Sequence, residues 1–234
     1  MESFAKETDG FMARHFDRKI SGAISRLLLK TPVTPNQITI SVTLLGVGAG
    51  VCMAQAGYRW KLIGALIFLA TSILDGCDGE VARAKKRTSR LGGWLDLWGD
   101  NIVHMAVFYG LGDGLYKDTW MNQYLFLGQL AALGTLVSAS IASYQTYLKS
   151  QRQNDRGASL FTSVVGDASK IQGSVWRVRL VRWSDALARR DFIYGVVVLA
   201  LIGHLEWFLW LCAIGVCLYA TVLTALLFVT ASAA

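Results

Sequence analysis

The chain has 234 residues, 53% of them hydrophobic, with 8 Trp, 2 Pro and a net charge of +7. Its apolar residues gather in blocks of about 20, which excludes an ordinary soluble domain and predicts membrane spans. A basic balance can signal nucleic acid, but the placement of the 23 Lys and Arg argues against that partner. Six precede the first apolar block, five lie between the second and third, and nine follow the fourth. Only Arg59, Lys61 and Lys117 fall on the opposite side. That is a positive-inside pattern, predicting six spans with both termini cytoplasmic and attraction to anionic headgroups.

Residues 1–37 are expected to form a cytoplasmic N-terminus, and 38–234 a six-helix membrane domain. Asp9 is a candidate cap for a helix from about Phe11 to Leu29. Phe16, Ile20, Ala23, Ile24, Leu27 and Leu28 follow helical spacing among Arg14, Arg18, Lys19 and Arg26. This pattern predicts an amphipathic helix lying on the membrane interface. More than thirty mostly polar residues come before the first span, so no cleavable signal is expected. Pro32 and Pro35 break the helix, and the first span follows over about 38–57. Gly46, Gly48 and Gly50 there permit close helix packing. Cys52, Cys77, Cys212 and Cys217 form no short paired motif and read as small packed hydrophobes.

The second span, about 61–83, carries Asp75 and Asp78. The third, from about Gly92 to Gly110, carries Asp96 and Asp100, and a basic turn joins the two. Each acidic pair has helical spacing of three or four and so shares a face. Asp75 lies eight residues before Arg83 and Asp100 eight after Gly92, about 12 Å from the turn along either helix. A tight hairpin therefore sets both pairs at one depth. Two carboxylates about 5 Å apart repel by roughly 3 kcal/mol at an effective dielectric of 20, so four in one place call for cations. All-oxygen ligation selects Mg²⁺ or Mn²⁺, or Ca²⁺, and two bridged ions suit a pyrophosphate. Gly79 and Ala82 leave room for a ligand beside the helix, and Arg83 can meet a phosphate. His104, four residues beyond Asp100, reads as a packing histidine or as support for the acids.

The remaining elements are a turn over 111–120, a fourth span over about 124–148 and a connection over 149–191. Trp176, Leu180, Trp183 and Leu187 in that connection lie at helical spacing among arginines. A fifth span runs from Asp191 to near His204, and a sixth over about 206–229.

DGCDGEVARAKKRTSRLGGWLDLWGD, residues 75–100, resembles the signature of the CDP-alcohol phosphotransferase family. Asp75, Asp78, Gly79, Ala82, Arg83, Gly92, Asp96 and Asp100 match every fixed position. The signature covers 26 residues, and the likeness in hydrophobic layout extends from about residue 11 to the end. The resemblance implies an integral membrane enzyme of a bacterial or archaeal cell membrane, with its site facing the cytoplasm. It would transfer a substituted phosphate from a CDP-linked donor to an acceptor hydroxyl and release CMP. Two divalent ions would be held by Asp75, Asp78, Asp96 and Asp100, with Asp100 as general base. Asp78, Gly79, Ala82, Arg83 and Gly92 would hold the nucleotide, with Asn36 and Thr39, whose other reading is simple capping.

Two donors stay open. One is CDP-diacylglycerol, used with a polar alcohol in phospholipid headgroup synthesis. The other is a soluble CDP-alcohol such as CDP-inositol, used with a lipid or polyol acceptor. DGFMARHFDRKIS near the start and RRDFIYG at the fifth span resemble the membrane domain of di-myo-inositol-phosphate-phosphate synthases; with their CDP-inositol donor, a separate enzyme would have to supply it to this chain. Relatives that build phospholipids often follow a tyrosine late in the fourth span with basic residues and an acid. Here Tyr144 is followed by QTYLKSQRQ, so the acceptor is open too. Arg152, Arg156 and Arg190 are candidates for an acceptor phosphate, and topology-setting charge is their other reading. Family resemblance also implies a homodimer. A cation transporter is the remote alternative, but it would want ionisable groups along the whole depth.

Overall fold

A computed structural model describes residues 17–152 and 192–231, and every regular element in them is a helix. In chain order these are α1 (Arg18–Leu29), α2 (Pro35–Met53), α3 (Tyr58–Ala84) and α4 (Arg90–Thr119). After them come α5 (Asn122–Arg152), α6 (Phe192–Leu201) and α7 (Leu205–Ala231). The helix boundaries follow from local chemistry. Thr34 opens α2 with a capping box, its hydroxyl accepting from Gln37 N–H while the Gln37 side chain accepts from Thr34 N–H, and Pro35 takes the first helical position. Ser89 caps α4 by accepting from Gly92 N–H at 3.0 Å. The C-terminus of α3 closes in a Schellman motif, with Lys86 at φ +54 and Arg87 N–H donating to Ala82 C=O. Gly203, at φ +78, closes α6 the same way.

Helices α2, α3 and α4 pack mutually around the site, while α5 lies against α4 and α7. The main core joins Met53, Phe68, Val107, Leu111, Leu127, Val196 and Leu209, drawn from six helices. A smaller core of Ile38, Cys77 and Val81 seats α1 through Ile24 and Leu28. All four cysteines are free. Outward faces are apolar, with Leu44, Leu66, Leu133, Leu211 and Ile214 exposed. Among the described residues, four helices (α2, α3, α5 and α7) are long and apolar enough to cross a membrane. α4 has the length at 30 residues but carries Asp96, Asp100, His104 and Asp113. The 10 described residues of α6 extend only about 15 Å.

One expectation fails. The turn expected over 111–120 is helix, because α4 continues unbroken to Thr119 and turns only at Trp120, which sits at φ +58. Gly110, Gly112 and Gly114 break nothing; they are points of contact. A Cβ on Gly110 would run into the Gly50 carbonyl, one on Gly114 into the Met53 carbonyl, and one on Gly112 would lie 2.8 Å from Gly128 Cα. These glycines let α4 press backbone to backbone against α2 and α5. Of the expected N-terminal helix only the part from Arg18 is described. It turns Ser21 and Ser25 inward and leaves Ile20 and Leu27 exposed. The helical pattern around Trp176 lies outside the described residues.

On the side away from the basic turn, buried Lys61 forms an ion pair with Asp118, which also accepts from Gly57 N–H at 2.7 Å. Lys117 donates to the Ala54 carbonyl at 2.9 Å. Two of the three cations expected on that side thus latch the α2–α3 turn to the end of α4.

Candidate active site

Four helices supply the site in layers one helical turn apart. Thr39 of α2 meets Asp78 of α3 in the first layer, where Asp96 of α4 also brings its carboxylate. Thr43, Asp75 and Asp100 occupy the next, and Thr71 and His104 lie deeper. Asp75, Asp78 and Asp96 each present a carboxylate oxygen, all within 4.8 Å of one another. That spread is only slightly wider than the about 4.2 Å across an Mg²⁺ octahedron. Hard oxygen donors at this separation fit a divalent cation. Asp78 is buried, and its carboxylate accepts from the Thr39 hydroxyl and from Gly79 N–H, which fixes its orientation.

Asp100 stands apart from that trio. With Asp75 it lines a cavity of about 120 Å³ beneath the trio, among Thr43, Ser72, His104 and Phe192. His104 donates from Nδ1 to the Asp100 carbonyl at 2.7 Å. Its ring meets the ring of Phe68 edge-on, 5.6 Å between centroids, and lies 6.2 Å from that of Phe192. It therefore packs and lines the cavity at once. Gly99 lets Thr43 approach α4, since a Cβ there would come within 2.6 Å of the Thr43 hydroxyl.

The other expected residues gather at the rim nearest the basic turn. Arg83 folds back over Gly79, its guanidinium 3.3 Å from where a Cβ would stand. Asn36 Oδ1 faces Gly92 across 3.1 Å to the same notional atom, so a side chain at Gly92 would crowd the Asn36 amide. Capping of α2 belongs to Thr34, so it is not the work of Asn36 or Thr39. Arg152 is the last residue of α5, and Arg156 and Arg190 lie outside the described residues.

Thr43, Thr71 and Ser72 escaped the reading of the sequence. They stand among other hydroxyls in apolar runs, and the four-residue repeats Thr39–Thr43 and Thr71–Asp75 mark a shared face without showing what it faces.

Residues 32–166, more than half the chain, match the family model for CDP-alcohol phosphatidyltransferase. The chain belongs to that family. It is 43% identical over 144 residues to a bifunctional IPC transferase and DIPP synthase of Thermococcus kodakarensis, covering 59% of this chain and 29% of that protein. The chain thus spans under a third of that relative's length. With the archaetidylinositol phosphate synthase of Pyrococcus horikoshii, identity is 30% over 176 residues, covering 71% of this chain and 86% of that one. The fold resembles Mycobacterium tuberculosis phosphatidylinositol phosphate synthase, solved with CDP-DAG bound. The TM-score is 0.54 at 19% identity, over 87% of this chain and 90% of that one. The same enzyme was also solved with manganese and citrate, TM-score 0.53 at 19% identity, covering 86% and 85% of the two chains.

Proposed function

We propose that this member of the family transfers a substituted phosphate from a CDP-linked donor to an acceptor hydroxyl at the membrane surface, releasing CMP. The observation that carries this reading is the trio Asp75, Asp78 and Asp96, gathered within 4.8 Å beside the family signature. Asp75, Asp78 and Asp96 would hold Mg²⁺ or Mn²⁺, with Asp100 at a second ion. When bound, the ions neutralise pyrophosphate charge and stabilise the leaving CMP. Thr39 keeps Asp78 aimed at the metal position. Arg83, with Asn36 and the small residues Gly79, Ala82 and Gly92, would seat the nucleotide at the rim. Asp100 would take the acceptor's proton from the cavity side.

Phospholipid headgroup synthesis from CDP-diacylglycerol and a polar alcohol is the primary reading. The phosphatidylinositol phosphate and archaetidylinositol phosphate synthases among its relatives favour it. A soluble CDP-alcohol donor is the second reading, favoured by the 43% identity to the bifunctional synthase. Family membership displaces the transporter alternative. Six spans, cytoplasmic termini, an interfacial α1 and a homodimer belong to this proposal. Exposed Trp60, Trp120 and Trp207 at the helix ends away from the basic turn support a membrane boundary there.

Asp75→Asn, Asp78→Asn and Asp96→Asn are each expected to weaken divalent-ion dependence and nearly abolish CMP release, because an amide is a poor ligand for a hard cation. The assay offers CDP-diacylglycerol and CDP-inositol separately, each with candidate acceptors. Normal activity in EDTA would sink the metal assignment.

A further inference from the structure

Helix α1 is amphipathic with its faces reversed from those of a soluble helix. Asp17, Ser21 and Ser25, one turn apart, are buried, whereas Ile20, Ala23 and Leu27 are exposed. Lys19, Arg26 and Lys30 border that apolar stripe and are exposed as well. A helix of 12 residues is marginal by itself in water, and among the described residues its apolar seat is the half-buried pair Ile24 and Leu28. The outer stripe therefore calls for a second apolar surface, one edged with negative charge. Residues 30–34 separate α1 from α2, a link that reaches at most about 20 Å. Lys85 pins it at the Thr31 and Val33 carbonyls. Because α2 is long and apolar enough to cross a membrane, α1 is held at the bilayer surface. Acyl chains there meet Ile20 and Leu27, and anionic phosphates meet the three cations, each worth about fivefold in attraction to such a surface.

The buried face of α1 reaches toward the acids. The Ser21 hydroxyl donates to the Glu80 carboxylate at 3.0 Å, and the Cys77 thiol donates to the Ser21 carbonyl at 3.6 Å. One residue thus grips α3 before and after Asp78, whose carboxylate belongs to the trio. At the start of α1, Asp17 accepts from Tyr194 of α6, next to Phe192 and Ile193, which line the cavity. We infer that α1 is a lipid-responsive positioning element. Anionic phospholipid headgroups hold its outer face, and Ser21 passes that hold to α3, setting where the Asp78 carboxylate stands. The inference rests on the metal-dependent phosphotransfer reading and adds its regulation by the surrounding membrane.

The test reconstitutes the purified full chain in neutral phosphatidylcholine vesicles and in vesicles that also contain phosphatidylglycerol. It reads Mn²⁺ affinity by electron paramagnetic resonance, and CMP release from CDP-diacylglycerol and CDP-inositol with the candidate acceptors. In the anionic vesicles wild type is expected to bind Mn²⁺ and release CMP about tenfold better than Ser21→Ala, the worth of one hydrogen bond to a carboxylate. The two carry the same charge and so meet the same Mn²⁺ gathered at the surface. In neutral vesicles they should agree within about twofold, which also shows that the variant is folded. Lys19→Gln, Arg26→Gln and Lys30→Gln combined should leave activity in neutral vesicles at the wild-type level and remove its advantage in anionic ones. The same triple change should withdraw a dye at Leu27→Cys from a quencher carried by the lipid. Equal gains in wild type and Ser21→Ala would overturn the inference, as would a full gain in the triple variant. No dependence on lipid charge in this purified system would leave the face to a protein partner, and the same gain from inorganic sulfate in neutral vesicles would assign it to free anions; either result overturns it too. If no donor released CMP in any vesicle, the phosphotransfer reading itself would fall, while Mn²⁺ affinity and dye quenching would still decide the role of α1.

Discussion

Asp100 lies one helical turn beyond Asp96 on α4, and that turn separates two kinds of chemistry. Asp75, Asp78 and Asp96 converge on one point, while Asp100 looks into the cavity with Asp75. A ligand that holds metal and a base that takes a proton should respond differently to losing charge. Asp100→Asn is expected to bind a cytidine nucleotide as well as wild type does, with turnover falling about 10²-fold or more, because proton removal is what it loses. Asp78→Asn should lose binding and turnover together. Calorimetry beside a CMP-release assay separates the two, and an Asp100→Asn enzyme with wild-type turnover would end the assignment. Much of this site can be read in the sequence, because i, i+3 and i, i+4 spacing on two helices joined by a short turn leaves the acids little choice of place. The hydroxyls around them could not be read, because Thr and Ser in an apolar run give the same signal whether they face a cavity or bond their own helix.

Among the elements, the short link between α1 and α2 depends on a residue that charge alone misassigns. Lys85 looks like one more topology-setting cation of the basic turn. Its Nζ instead donates to the Thr31 and Val33 carbonyls, both at 2.8 Å, fastening the link that delivers Thr34, Asn36 and Thr39. Ser21 makes a parallel tie, donating to buried Glu80 at 3.0 Å, and Tyr194 donates to Asp17, so α1 is joined to α3 and α6. Lys85→Ala should therefore raise the donor KM several-fold with a smaller effect on kcat, and Lys85→Arg should recover part of the loss. Steady-state kinetics with the donor varied checks it. Equal loss in both variants would point to charge at the membrane surface as the role of Lys85. The break near Pro35 was legible because proline acts locally. The length of α4 was not, because a glycine at a helix contact and a glycine at a helix end look alike until the partner helix is in view.

For the whole molecule, orientation is the property that the positive-inside pattern predicts and the helix packing leaves to experiment. The structure changes where that prediction is tested. Leu115, in the stretch expected to be a turn, is buried inside α4, whereas Met121 is exposed beyond its end. A cysteine at Met121 should be labelled by an impermeant reagent from outside the cell, and one at Arg87, exposed in the basic turn, should not. The reverse result would invert the protein and move its site to the other face.

The glycine seam between α2 and α4 also acts at a distance. Gly50 and Gly110 lie about ten residues, hence about 15 Å, from Thr39 and Asp100 along their helices. Where two backbones touch, they form a fulcrum, and the rods beyond it swing through larger distances than any change at the contact. Accuracy in placing the carboxylates is thus set far from them, by atoms that never meet a substrate. One methyl group added at the fulcrum would misalign the carboxylates without altering any of them.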